Sequence, residues 1–160
     1  DSNDERLQRL NVLESADAEK RPRLEDIIEA FLLPALTHGH NHEQGPAVLQ
    51  LFGRIYSESE KVQHLILNHF EEVRTRFTRA IQRSCPHLPE IELSIRFKFM
   101  VGTLMMAMVS HVGFGRKLES HCPDDWVVHT TQQLTTFIVG GLTAPSAEYM
   151  HNAIEGNTIS

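Results

Sequence analysis

The sequence predicts an all-α domain of about six helices packed as an antiparallel bundle. Three observations carry this. Apolar residues recur at helical spacing through most of the 160 residues, and period-two alternation never persists long enough for a sheet. Breaker clusters such as Arg21-Pro22-Arg23, Gly45-Pro46 and Pro86-His87-Leu88-Pro89 separate the periodic stretches. A hydrophobic fraction of 41% against 22% charged residues gives enough apolar mass for one core, and the length fits a single domain.

The first segment, Asp4 to Ser15, sets Leu7, Leu10 and Leu13 on one stripe, with Val12 as a further candidate. It is short for an independent helix, which is marginal below about 12–15 residues. Starting without a cap, it reads as the end of something longer. A second helix opens at Arg21-Pro22-Arg23 and buries Leu24, Ile27, Ile28, Phe31 and Leu32. Pro34 is expected to kink or end it, because proline lacks an N–H and crowds the preceding turn. His38 to Pro46 then reads as a loop, and Ala47 to Tyr56 as a short third helix with Val48, Leu51, Phe52 and Ile55 inside.

Ser57 and Glu60 have capping-box spacing. A long fourth helix from about Glu58 to Ser84 carries the stripe Val62, Leu65, Ile66, Phe70, Val73, Phe77 and Ile81, with Glu72 and Arg76 placed to pair. Pro89 opens a fifth helix that runs to about His111, ended by Gly113 and Gly115. Pro123-Asp124-Asp125 starts a sixth, with acid at the positive end of its dipole, and Gly140-Gly141 with Pro145 close it. The domain is drawn at 1–145, with 146–160 a flexible tail.

The last two helices differ from the others. The fourth carries nine charges between Glu58 and Arg83, whereas Phe99 to Val109 and Trp126 to Ala147 contain no Asp, Glu, Lys or Arg. A helix apolar on all sides must be covered on all sides. A chain this short has few further helices to do so, apart from sheathing a central helix within one subunit. The expected solution is a homodimer in which the last two helices of each subunit form a four-helix, two-fold interface. Phe99, Gly102, Met106, Val109, Thr130, Leu134, Phe137 and Gly141 are its candidate residues.

Charge and motif exclude other classes. Lys plus Arg number 15 against 21 Asp plus Glu, a net charge of −6 with ten His neutral. This balance argues against phosphate binding as the main task of these residues. Cys85 and Cys122 lie outside any CxxC spacing, and the acidic start has no apolar signal region, so the expected location is the reducing cytoplasm, with no membrane partner. His38, His40 and His42 form the only metal-like run, without a Cys or carboxylate at defined spacing, and a solvated turn is the better reading. Glu148-x-x-His151 supplies one half of a di-iron motif that needs two. No GxSxG, GxxxxGK or GxGxxG is present. The expectation is no enzyme, no catalytic residue, no cofactor and no metal.

A candidate apolar pocket remains. Phe31, Phe52, Tyr56, Phe70, Phe77, Phe97, Met100 and Met105, with Met108 beside them, supply large adaptable apolar surface. Each residue taken singly suits a dry core equally well.

Several stretches are similar to a known family. Arg6-Leu7-x-x-Leu10-x-x-Leu13-Glu14 and Arg23-Leu24-Glu25-Asp26-Ile27 resemble the start of a tetracycline-repressor-type (TetR/AcrR) regulatory domain. Phe77-x-x-Ala80-Ile81, Pro86-His87-Leu88-Pro89-x-x-Glu92-Leu93 and Arg96-Phe97-x-Phe99-x-x-Gly102 resemble its middle, and Phe137-Ile138-x-x-Gly141-Leu142-x-Ala144-Pro145 its last helix. The resemblance implies the C-terminal effector-binding and dimerisation domain of a bacterial transcriptional regulator, usually a repressor. It implies a small apolar effector, and operator DNA bound through an N-terminal helix-turn-helix domain that has no counterpart in these residues. Asp4 to Ser15 is then the connecting helix from that domain. A self-contained helical adaptor that dimerises without a small-molecule ligand is the alternative, and a metal-dependent enzyme a third class.

Overall fold

A computed structural model describes residues 2–16, 21–40, 60–109 and 125–147; within these, side chains are described except at positions 39, 40, 60–69 and 109. The described residues form five α-helices and no strand: α1 (Ser2–Ala16), α2 (Leu24–His40), α3 (Glu60–Ser84), α4 (Glu90–Val109) and α5 (Trp126–Thr143). The expected third helix, Ala47 to Tyr56, lies outside the described residues. So do the capping residue Ser57, the glycines Gly113 and Gly115, and Pro123-Asp124.

The central element is α2, which contacts the other four helices and packs most extensively on α5 and α1. Its sequence accounts for this, since Leu24, Ile27, Ile28, Ala30, Phe31, Leu32, Ala35 and Leu36 are all buried. Such a set covers most of a helix circumference, so α2 is wrapped on nearly every side. α3 presents the narrower stripe of a surface helix, burying Val73, Phe77, Ala80 and Ile81. Leu93, Phe97, Met100 and Leu104 face inward from α4, as do Trp126, Leu134, Ile138 and Leu142 from α5.

Several expectations are corrected. α2 does not end at Pro34 but continues to His40. Burial of Pro34, Ala35 and Leu36 against the bundle offsets the single backbone hydrogen bond that proline removes. The stretch His38 to His40 is therefore helix rather than loop. Gly140 and Gly141 do not close α5, which runs on to Thr143 with no glycine at positive φ; Pro145 follows as the stop. Arg76 does not pair with Glu72 but crosses to α1, donating to Asn11 Oδ1 at 2.7 Å and Glu14 Oε2 at 2.8 Å. Val12 is exposed, off the buried stripe of α1.

The turn between α3 and α4 is closed by the Leu88 N–H to the Cys85 carbonyl at 3.2 Å and by Gln82 Nε2 to the Leu88 carbonyl at 3.1 Å. Cys85 is fully buried there, and burial raises its thiol pKa, which leaves it in the unreactive protonated form.

Candidate functional site

The bundle encloses an aromatic cluster. Phe31 of α2 lies edge-on to three other rings, with centroids 6.2 Å from Phe70, 5.2 Å from Phe77 and 5.6 Å from Phe97. Phe70 and Phe97 also meet at 6.4 Å. Such T-shaped contacts set the positive ring edge of one phenyl against the negative face of another. Four of the eight residues singled out for the pocket are thus brought together from α2, α3 and α4. Met100 is buried in the same core, and Met105 is half-buried. Phe52 and Tyr56 lie outside the described residues, and Met108 is partly buried at the cluster's margin.

Pattern reading missed the residue that caps this cluster. Arg6 of α1 is only 7% exposed. Its guanidinium carbon sits 4.5 Å from the Phe31 ring centroid, a cation–π contact. Its Nε donates to the Phe31 carbonyl at 2.8 Å, and Nη1 donates to Asn3 Oδ1 at 2.9 Å. Burial pulls its pKa down to about 10, which still leaves it charged at neutral pH. A signal was available, since Arg6 stands four residues before the buried Leu10 and seven before the half-buried Leu13, on the same side of α1.

Further bonds hold α1 in place. Glu14 accepts from both Arg76, at 2.8 Å, and Arg83, at 3.0 Å. At the other end of the helix, His38 Nε2 lies 3.1 Å from Glu5 Oε2, and this bond together with Arg9 lowers the Glu5 pKa.

A second assembly joins α4 to the end of α5. The expected Glu92–Arg96 pair forms at 2.6 Å and is largely shielded from solvent. Arg96 also donates to the carbonyls of Gly141 at 2.6 Å, Ala144 at 2.8 Å and Pro145 at 2.6 Å. These include carbonyls that a helix C-terminus leaves without partners, at the negative end of its dipole. His87 Nε2 donates to the Ala144 carbonyl at 3.1 Å. Glu92 accepts from Ser146 Oγ at 2.7 Å and the Ala147 N–H at 2.9 Å, and these bonds with Arg96 bring its pKa down to about 2. Ser146 and Ala147, drawn as the start of a flexible tail, are held by this carboxylate.

The outer face of α4 and α5 is apolar and uncovered in the single chain. Ile91, Ile95, Phe99 and Met106 stand along α4, Phe99 at 68% and Met106 at 64% exposure. Phe137, also 68% exposed, stands on α5, whereas the exposed Val128 lies about 180° around that helix from it. Gly102 and Gly141 are exposed, with nothing within 4 Å of where a Cβ would be. Thr130 is half-buried at the edge, and the Val109 side chain is outside the described set. Leu134 points into the core instead, at 9% exposure, because it falls about 60° around the helix from Phe137.

An open groove of about 600 Å³ on α3, lined by Arg74, Thr78, Gln82 and Glu90 among others, is separate from the aromatic cluster. Among the described residues no group of three or more His, Cys, Asp or Glu is gathered as a metal site requires. No described helix is long and apolar enough to cross a membrane.

An all-helical bundle with an aromatic interior and an uncovered apolar flank has the anatomy of a binding and association domain. Residues 29–141, more than two thirds of the chain, match the model of the tetracyclin repressor-like C-terminal domain. The chain belongs to this family, whose members are transcriptional regulators and whose C-terminal part is their ligand-binding and dimerisation domain. Comparison with curated proteins and with solved structures returned no match.

Proposed function

We propose that this chain is the effector-binding and dimerisation domain of a bacterial repressor, and that a small apolar effector alters DNA binding by an N-terminal helix-turn-helix domain. The effector is received at the aromatic cluster of Phe31, Phe70, Phe77 and Phe97, with Met100 and Met105 as further contacts; Phe52 and Tyr56, outside the described residues, are proposed with them from the sequence alone. Two subunits pair through α4 and α5, using Phe99, Gly102, Met106, Val109, Thr130, Phe137 and Gly141. The domain acts in the cytoplasm and is not an enzyme.

The observation that carries this reading is a joint between the interior and α1: Phe31 touches three cluster rings while its own ring and carbonyl hold Arg6. A molecule that parts the rings must move Phe31, and with it the seat of α1. In a dimeric repressor the two recognition helices must stand about 34–36 Å apart to enter successive major grooves. A shift of α1, the connecting helix, spoils that spacing. The effector accomplishes this only through its difference in affinity for the two arrangements.

The test uses the full-length regulator bound to an operator fragment selected from random DNA. Apolar compounds that bind this domain are expected to release the fragment. A helix-turn-helix upstream, operator binding and ligand-dependent release together support the reading. Absence of DNA binding by the full-length protein overturns it in favour of a helical adaptor.

A further inference from the structure

Arg6 is the only charged side chain that is buried among the described residues. Burying an ion is costly unless it is paired, yet no carboxylate of the described residues forms an ion pair with it, and burial is the sole cause of its lowered pKa. Its described acceptors are two neutral oxygens, the Phe31 carbonyl and Asn3 Oδ1. A guanidinium carries five N–H donors, so this leaves donor capacity beyond those two bonds. One turn earlier on the same helix, the Ser2 hydroxyl is buried with no hydrogen-bond partner. Residues four apart on a helix have Cβ atoms about 5–6 Å from each other. The inner face of α1 thus sets an orphaned hydroxyl one turn from a buried cation whose described acceptors are neutral, and that cation rests on the ring that leads into the aromatic cluster.

Resting on the effector-binding reading above, we propose that the effector is an amphipathic monoanion: an apolar body that enters the aromatic cluster and a terminal carboxylate that binds Arg6 and Ser2. The carboxylate accepts from the guanidinium in a charge-assisted bond and from the Ser2 hydroxyl, and so satisfies both groups at once. A planar carboxylate matches the guanidinium fork. A neutral apolar compound of the same length fills the rings but leaves both donors as they are. Because Arg6 and Ser2 both sit on α1, the head group pulls on the same helix that the apolar body displaces through Phe31.

The test compares decanoate with 1-decanol, both far below aggregate-forming concentrations, binding to the purified chain at pH 7.5 by calorimetry. Decanoate is expected to bind about tenfold more tightly, the effect of one charge-assisted hydrogen bond. In Arg6→Met that preference is expected to vanish, the two compounds binding alike whatever the absolute affinity for decanol. Ser2→Ala, a conservative change near the end of α1, is expected to weaken decanoate alone by about two- to threefold, and it serves if Arg6→Met fails to fold. Equal affinity of the two compounds for the wild-type chain, or a preference that survives both substitutions, overturns the anionic effector and leaves an apolar effector standing. Binding of neither compound overturns both.

Discussion

At the scale of single residues, the interior separates what a pattern can show from what it cannot. Phe31, Phe70 and Phe77 were legible as interior residues because helical periodicity assigns each to a buried stripe. The candidate pocket grouped them with Phe97 by residue type; which rings meet, and how, depends on how three helices cross. Arg6 was overlooked for a related reason: a charged residue beside an apolar stripe is ordinarily solvated, and its burial is offset by the Phe31 carbonyl at 2.8 Å, Asn3 Oδ1 at 2.9 Å and the Phe31 ring. Since Phe31 is the ring shared by three contacts, Phe31→Ala is expected to destabilise the chain by about 3–5 kcal/mol in denaturant unfolding. A loss below about 1 kcal/mol would mean that the cluster is loosely packed. Glu92 yields a pH dependence. Its folded pKa of about 2 lies below the ordinary 4.5, so its contribution is fully present above pH 4.5 and is lost as pH falls toward 2. The melting temperature of the wild type is therefore expected to fall more steeply over that interval than that of Glu92→Gln, with parallel curves counting against the bond to Ser146 and Ala147.

At the scale of elements, sequence reading was sound where periodic stripes were long and weaker where breakers decided a boundary. It found α3 and α4 within two residues of their described ends. It allowed α2 to kink or end at Pro34 and carried α5 to Gly140-Gly141 with Pro145 as its limit; α2 runs on to His40, and α5 two residues further, to Thr143. Proline and glycine carry local penalties of about 3 and 1 kcal/mol in a helix, and burial of the residues that follow them, Leu36 in α2 and Leu142 in α5, outweighs such costs. α1 is the opposite case, a 15-residue helix with little buried apolar surface that depends on anchoring. Glu14 ties it to Arg76 and Arg83 of α3. Partly exposed pairs of this kind contribute about 0.2–1 kcal/mol each. Glu14→Gln is accordingly expected to lower global stability by no more than about 1 kcal/mol while raising amide hydrogen exchange selectively in the last two turns of α1. Uniform exchange across the bundle would show that Glu14 has no local role.

At the scale of the whole molecule, the uncharged stretches of the last two helices pointed to more apolar surface than one subunit covers. The element sheathed within the chain is α2. α4 and α5 contribute one face to the same core and leave the other bare, with Ile91, Phe99, Met106 and Phe137 exposed. An apolar flank spread over two adjacent helices is costly in water, and it is the face on which we propose that two subunits pair. Among copies of one chain, the closed arrangement is a two-fold dimer that sets each flank on its twin. Gly102 lies within this flank, and a Cβ built there meets nothing within 4 Å. An arginine at that position therefore fits the isolated subunit, and an arginine helix propensity above that of glycine favours α4. Across a dimer seam it instead places two charges, one from each subunit, in a closely packed apolar layer. Gly102→Arg is expected to keep the helical circular dichroism of the wild type while sedimenting as a monomer at concentrations where the wild type is dimeric. Phe137→Glu, on the neighbouring helix of the same flank, should act alike. If either variant sediments as the wild type does, the subunits do not meet on this face, and the spacing of any upstream DNA-reading domains has to be set by another surface.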